Sequence, residues 1–184
     1  FVSRVDTAVD TLLEERSSQG SKDAEALLGK AAIANAKLAY QSFKAVFGGD
    51  RFAVLQTKGA RVQRPLWGST GTKNPSYSDV LYIDSLIGED TVNTVPPATL
   101  TAFIEHGQAK ATLEQDVADS EQTMKALAAA GVSIDKVTDK LLADGVKSFA
   151  DSFTQLLANV EDKKSLLLAQ GSERRASASE TVRP

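Results

Sequence analysis

The sequence predicts a helix-rich α/β fold built on a parallel sheet. Short β-branched or apolar runs at Phe1–Val5, Gln63–Gly68 and Thr91–Val95 read as strands. Helical segments separate them, and strand, helix, strand, loop, strand, helix is the grammar of a parallel sheet with crossover connections. Everything after the third strand is helical. Three strands are too few for a closed barrel, which takes eight strands and about 250 residues. With 184 residues, 42% of them hydrophobic, the chain has apolar material for one domain or a piece of one.

Each element has its local reason. In Phe1–Val5 apolar residues alternate with Ser3 and Arg4, which suits the end of a strand. Phe1 is not an initiator, so the run reads as a strand entered from upstream in a truncated chain. Asp6 is placed to N-cap a helix over Thr7–Arg16, and Ser17–Ser21 is a connector. Lys22–Phe47 is alanine-rich and free of proline, with Ile33, Ala36, Tyr40, Phe43 and Phe47 at helical spacing and Gly48-Gly49 as the stop. Arg51–Gly59 is weakly patterned. Pro65 sets the register of the second strand near Leu66.

Gly68–Tyr77 is a loop by composition, and Asp79–Ile87 predicts a short helix with Leu81, Ile83 and Leu86 inward. Pro96-Pro97 ends the third strand, and Pro97 opens a helix that runs to His106 and is capped by Gly107. Further helices are expected over Leu113–Ala130, closed by Gly131, over Ile134–Ala143, closed by Gly145, and over Val146–Asp162. In the last, Val146, Phe149, Phe153, Leu156 and Val160 form a face that docks on something. Residues 163–184, and Gly171–Pro184 above all, lack periodicity and are expected to form a disordered tail.

Composition excludes several functions. Net charge is −3 and the basic residues are scattered, so there is no footprint for nucleic acid. The absence of cysteine excludes disulfides and thiolate metal sites, and one histidine cannot build a zinc centre. No apolar run approaches the roughly 20 residues of a membrane span, and the first residues do not read as a signal peptide. A soluble, cytoplasmic protein without metal or cofactor is expected, with no nucleic-acid or membrane partner.

In parallel α/β folds ligands gather where strands end. Those positions are Arg4 after the first run, Ser69 to Lys73 after the second and Asn93 to Val95 after the third. A guanidinium, an ammonium and the hydroxyls of Ser69, Thr70 and Thr72 on one rim would cradle a phosphate. The bland alternative is a surface arginine and a solvated lysine. Gly68–Asn74 is not a nucleotide P-loop, because Thr72 separates Gly71 from Lys73 and Asn74-Pro75 follows where Ser or Thr should stand. An imine-forming lysine needs a low-dielectric pocket, and Lys73 lies amid polar groups. His106 has a sufficient reason in the helix dipole. Trp67 is read as wall packing, and Arg174-Arg175-Ala-Ser177 as an accidental kinase motif.

FVSRVDT, then a long alanine-rich helix, then RPLWGSTGTKNPSYSDVLY and DTVNTVPPATL, resemble the transaldolase family in that order and at that spacing. The resemblance is to the C-terminal half of the form found in actinobacteria and cyanobacteria, and it covers roughly residues 1–159. It implies a (β/α)8 TIM barrel, of which residues 1–162 would be the C-terminal part: the last three strands plus C-terminal helices. It also implies transfer of a dihydroxyacetone unit from sedoheptulose 7-phosphate to glyceraldehyde 3-phosphate through a lysine imine, without a cofactor. The family's catalytic lysine, glutamate and aspartate would lie upstream, so no catalytic residue is carried over. What is carried over is recognition of sugar-phosphate substrates: Arg4 with Phe1 beside it, and Lys73. Many relatives have serine where Gly71 stands, which leaves hydroxyl contact to Ser69, Thr70 or Thr72. Two other readings stand beside this one: a non-catalytic sugar-phosphate-binding module, and a piece of a transaldolase fused to phosphoglucose isomerase.

Overall fold

Helical period, not β-branching, decides the start of the chain. Val2, Val5, Val9 and Leu13 recur every three or four residues, and with Ser3, Asp6 and Asp10 they form the buried face of helix α1 (Val2–Ser18). The computed structural model describes residues 1–180, with side chains through residue 170. The strand expected over Phe1–Val5 is therefore corrected: residues 2–5 are the first turn of α1. The amides of Val2 and Ser3 donate to the carbonyls of Gly68 and Ser69 at 2.7 and 3.0 Å. Two of the four amides that a helix N-terminus leaves free are satisfied in this way.

The N-cap role expected of Asp6 is corrected, because Asp6 lies inside α1. Its carboxylate instead accepts from the Ala32 amide at 2.7 Å, in the first turn of a later helix. The single helix expected over Lys22–Phe47 is two. Helix α2 (Lys22–Glu25) is capped by the Ser21 hydroxyl, and α3 (Ala31–Phe47) begins after Gly29, whose φ of +70° no right-handed helix accommodates. A short α4 (Asp50–Gln56) follows, with Phe52 edge-on to Phe47 at 4.8 Å between centroids.

The sheet is parallel as expected but has two strands, β1 (Leu66–Trp67) and β2 (Val92–Asn93), with Leu66 opposite Val92 and Trp67 opposite Asn93. Between them α5 (Leu81–Ser85) buries Tyr82 and Ile83, followed by buried Leu86. Tyr82 takes the inward place expected of Leu81, which is half-buried. Helix α6 (Pro97–His106) starts on Pro97 and stops before Gly107 as the sequence predicts. Helix α7 (Val117–Ala129) starts after the expected Leu113, which is fully buried in the preceding turn, and Gly131 at φ +78° closes it.

Helix α8 (Ile134–Glu180) runs through Gly145 without a break. A mid-helix glycine costs only about 1 kcal/mol relative to alanine, which long flanking helical sequence offsets. The segment 163–184 is helical as far as Glu180, and residues 181–184 lie outside the described residues. Val146, Phe149, Phe153, Leu156 and Val160 are exposed.

The chain divides into two units, Phe1–Thr138 and Asp139–Pro184, and the candidate site lies in the first. There α3 packs on α1 and on α7. Val9, Leu13, Leu113 and Leu127 are fully buried, as are alanines along α3 that let the helices approach closely.

Candidate functional site

The loop between β1 and α5 is tied to α1 at both ends. At its start, Gly68 and Ser69 accept from the α1 amides, and Ser69 takes a left-handed φ of 55°. Thr70 is fully buried, and its hydroxyl donates to Asn93 Oδ1 at 2.7 Å, across to the end of β2. Thr72 donates to the Ser78 carbonyl at 2.8 Å. Asn74 closes a turn by accepting from the Tyr77 amide with its carbonyl and from the Ser76 amide with its side chain. At the far end the Tyr77 hydroxyl donates to Asp10 Oδ2 at 2.8 Å. The anchors on α1 are thus Val2 and Ser3 at one end and Asp10 at the other, about 12 Å apart along the helix.

Lys73 is exposed between these anchors. It lines a 200 Å³ cavity with Thr7, Thr11 and Glu14 of α1 and with Tyr77. Arg4 is exposed one turn before Thr7, on the same face of α1, since residues three apart adjoin on a helix. Its guanidinium lies 5.3 Å from the centroid of the Phe1 ring, and that ring covers Gly68, where an added Cβ would stand 3.6 Å from it. Phe1, Arg4 and Ser69 therefore lie at the first turn of α1, and Lys73 lies in the groove lined by later turns of the helix. The hydroxyl protons of Thr70 and Thr72 are committed to Asn93 and Ser78, whereas Gly71 faces Pro96 and Thr99.

Sequence reasoning missed the groove's acidic floor. Asp6 and Asp10 are one turn apart and nearly fully buried. Each bridges a main-chain amide at the α2–α3 junction and a tyrosine hydroxyl. Asp6 takes Ala32 N and Tyr82 Oη, and Asp10 takes Gly29 N and Tyr77 Oη. Burial raises Asp6 above the usual carboxylate range, and the Ala32 and Tyr82 hydrogen bonds offset part of that rise. Burial, then the neighbouring carboxylates, push both tyrosines up, so they remain protonated donors. The signal was present in the sequence as two aspartates at i and i+4 inside the apolar stripe Val2, Val5, Val9, Leu13.

His106 pairs with exposed Asp79 at 2.8 Å, a surface contact away from the groove. Among the described residues, no helix is long and apolar enough to cross a membrane, and no three metal-ligating side chains converge. The groove sets the Lys73 ammonium among the carboxylates of Asp6, Asp10 and Glu14, and the exposed Arg4 guanidinium and the Ser69 hydroxyl stand beyond its lining at the start of α1.

Residues 1–160 match the transaldolase/fructose-6-phosphate aldolase family. The chain is 50% identical over 158 residues to a transaldolase of Mycolicibacterium smegmatis, covering 85% of this chain and 42% of that protein. It is 48% identical over 158 residues to a transaldolase of Neisseria meningitidis, covering 86% and 42% respectively. It is 44% identical over 175 residues to transaldolase 2 of a Nostoc species, covering 91% and 46%. The chain thus spans less than half the length of these curated relatives.

Proposed function

The chain belongs to the transaldolase/fructose-6-phosphate aldolase family, and on that premise we propose that it is the C-terminal portion of a cytoplasmic transaldolase, supplying the substrate-phosphate site. In the complete enzyme a lysine imine moves a dihydroxyacetone unit from sedoheptulose 7-phosphate to glyceraldehyde 3-phosphate. The lysine and the acid/base carboxylates belong to strands upstream of this chain in a (β/α)8 barrel, with residues 1–162 as its closing part. Arg4 and Lys73 hold the phosphoryl group between them, Ser69 adds a hydroxyl, and the Phe1 ring lies beside the guanidinium.

The observation that carries this reading is the attachment of the 69–77 loop along α1, which sets Lys73 in a groove on the helix face that bears Arg4. A guanidinium fork and an ammonium point charge there suit a phosphate monoester. Binding energy from the phosphate, remote from the reacting carbons, holds the carbonyl where the imine forms. Of Ser69, Thr70 and Thr72, Ser69 is the one whose proton no protein acceptor takes, so it is the donor to phosphate. Thr70 and Thr72 shape the loop.

The test is kinetic, in the complete enzyme. Arg4→Ala and Lys73→Ala each remove a charge-assisted contact, so KM for phosphorylated sugars rises roughly 10- to 100-fold while values for unphosphorylated ketoses stay unchanged. Equal effects on both substrate classes would remove these residues from the phosphate site. Purified 1–184 alone is expected to show no turnover, and turnover would overturn the upstream placement of the catalytic groups.

A further inference from the structure

The 69–77 loop has few main-chain ties of its own, yet its far end is held by one side chain with an unusual seat. The Tyr77 ring lies against Gly29 so closely that a Cβ added there would stand 2.9 Å from its Cζ. Its hydroxyl donates to Asp10, and the same carboxylate accepts the Gly29 amide at 3.0 Å. Asp10, Gly29 and Tyr77 thus close on one another, and the ring forms a wall of two cavities. On one side is the 200 Å³ groove with Lys73. On the other is a 430 Å³ cleft lined by Ile33, Leu81 and Ser120.

We propose that Asp10 and Tyr77 are positioning residues: the Tyr77–Asp10–Gly29 latch pins the loop so that Lys73 stays in the α1 groove beside the face bearing Arg4. Asp10 forms part of the groove's floor, and its part in the latch runs through its hydrogen bond from Tyr77. The proposal rests on the phosphate-binding reading of Lys73, and it extends it to the residues that hold the far end of the loop. Physically, the latch converts burial of one aromatic ring and one charge-assisted hydrogen bond into a fixed origin for a lysine side chain that would otherwise sample many rotamers.

Two of the glycines with positive φ make a matched pair for testing. Gly29 and Gly59, at +70° and +88°, impose similar backbone strain on an added Cβ, but nothing lies within 4 Å of the Cβ position at Gly59. Gly29→Ala therefore displaces Tyr77 as well as straining the chain, whereas Gly59→Ala strains it only. Tyr77→Phe and Asp10→Asn remove the hydroxyl or the charge with little change of shape.

The experiment measures amide hydrogen exchange across residues 70–77 and across α7, and the affinity for inorganic phosphate, in these four variants and in Lys73→Ala. Tyr77→Phe, Asp10→Asn and Gly29→Ala are expected to speed loop exchange about tenfold with α7 unchanged, and to weaken phosphate several-fold. Gly59→Ala is expected to do neither. Loop exchange that is unchanged, or that rises equally in α7, or that Gly59→Ala reproduces, would overturn the latch. Phosphate affinity unchanged in Lys73→Ala would instead overturn the phosphate reading, leaving the exchange data to judge the latch by themselves.

Discussion

Asp6 shows how one side chain holds distant parts of the fold together. It is 1% exposed, and its two oxygens join the α3 start to Tyr82 of α5. Replacing it with alanine strands two buried donors, so Asp6→Ala should cost about 3 kcal/mol in urea unfolding of the chain, and Asp6→Asn less. The pH dependence has a definite sign. Burial raises Asp6, so the folded form holds its proton more tightly than the unfolded chain. Its contribution is full below the unfolded carboxylate value of about 3.9 and is lost as pH rises through the folded one. Asp6→Asn should flatten that slope. His106, the chain's single histidine, gives an independent reading. Its hydrogen bond to Asp79 holds its pKa above the ordinary value of about 6.5. Asp79→Asn should bring the imidazole NMR titration down toward that ordinary value, and no downward movement would break the pairing.

Among the elements, those defined by punctuation were legible in the sequence. Pro97 and Gly107 bracket α6, Gly131 closes α7, and the register begins at Leu66 just after Pro65. The misreadings share one physical cause, which is that a local signal was outweighed by a longer one. FVSRV has strand composition, but Val2, Val5, Val9 and Leu13 carry a helical stripe across 12 residues. Gly145 has the composition of a stop, but it stands inside long helical sequence on both sides. Gly29 was hidden in the opposite way: one glycine in an alanine-rich run gave no warning of a left-handed turn closed by side chains 19 and 48 residues away. Since nothing lies within 4 Å of a Cβ at Gly145, Gly145→Ala should stabilise α8 by about 1 kcal/mol, read as a higher midpoint for loss of helical circular dichroism. A lower midpoint would mean that the glycine serves a contact the helix needs.

For the molecule as a whole, the sequence singled out Arg4 and Lys73 as strand-end cations, whereas Arg4 stands in the first turn of α1 and Lys73 in the loop after β1, and the groove that Lys73 lines was not legible. That groove comes from tertiary pairings: Asp10 with Tyr77, Asp6 with Tyr82, and the Gly68 and Ser69 carbonyls with α1. None of these has a sequence signature beyond two acids on an apolar stripe. The proposal that the chain is part of a larger barrel draws on the two-stranded sheet, with Leu66 of β1 56% exposed, and on the coverage of less than half of each curated relative. The most direct measurement is an NMR titration of isotope-labelled chain with inorganic phosphate, following the Arg4 Nε–H and Lys73 Nζ signals together. Both should move with one saturation constant, and Ser69 should move with them. Movement of one cation without the other, or two different constants, would mean that no single oxyanion is shared between α1 and the loop.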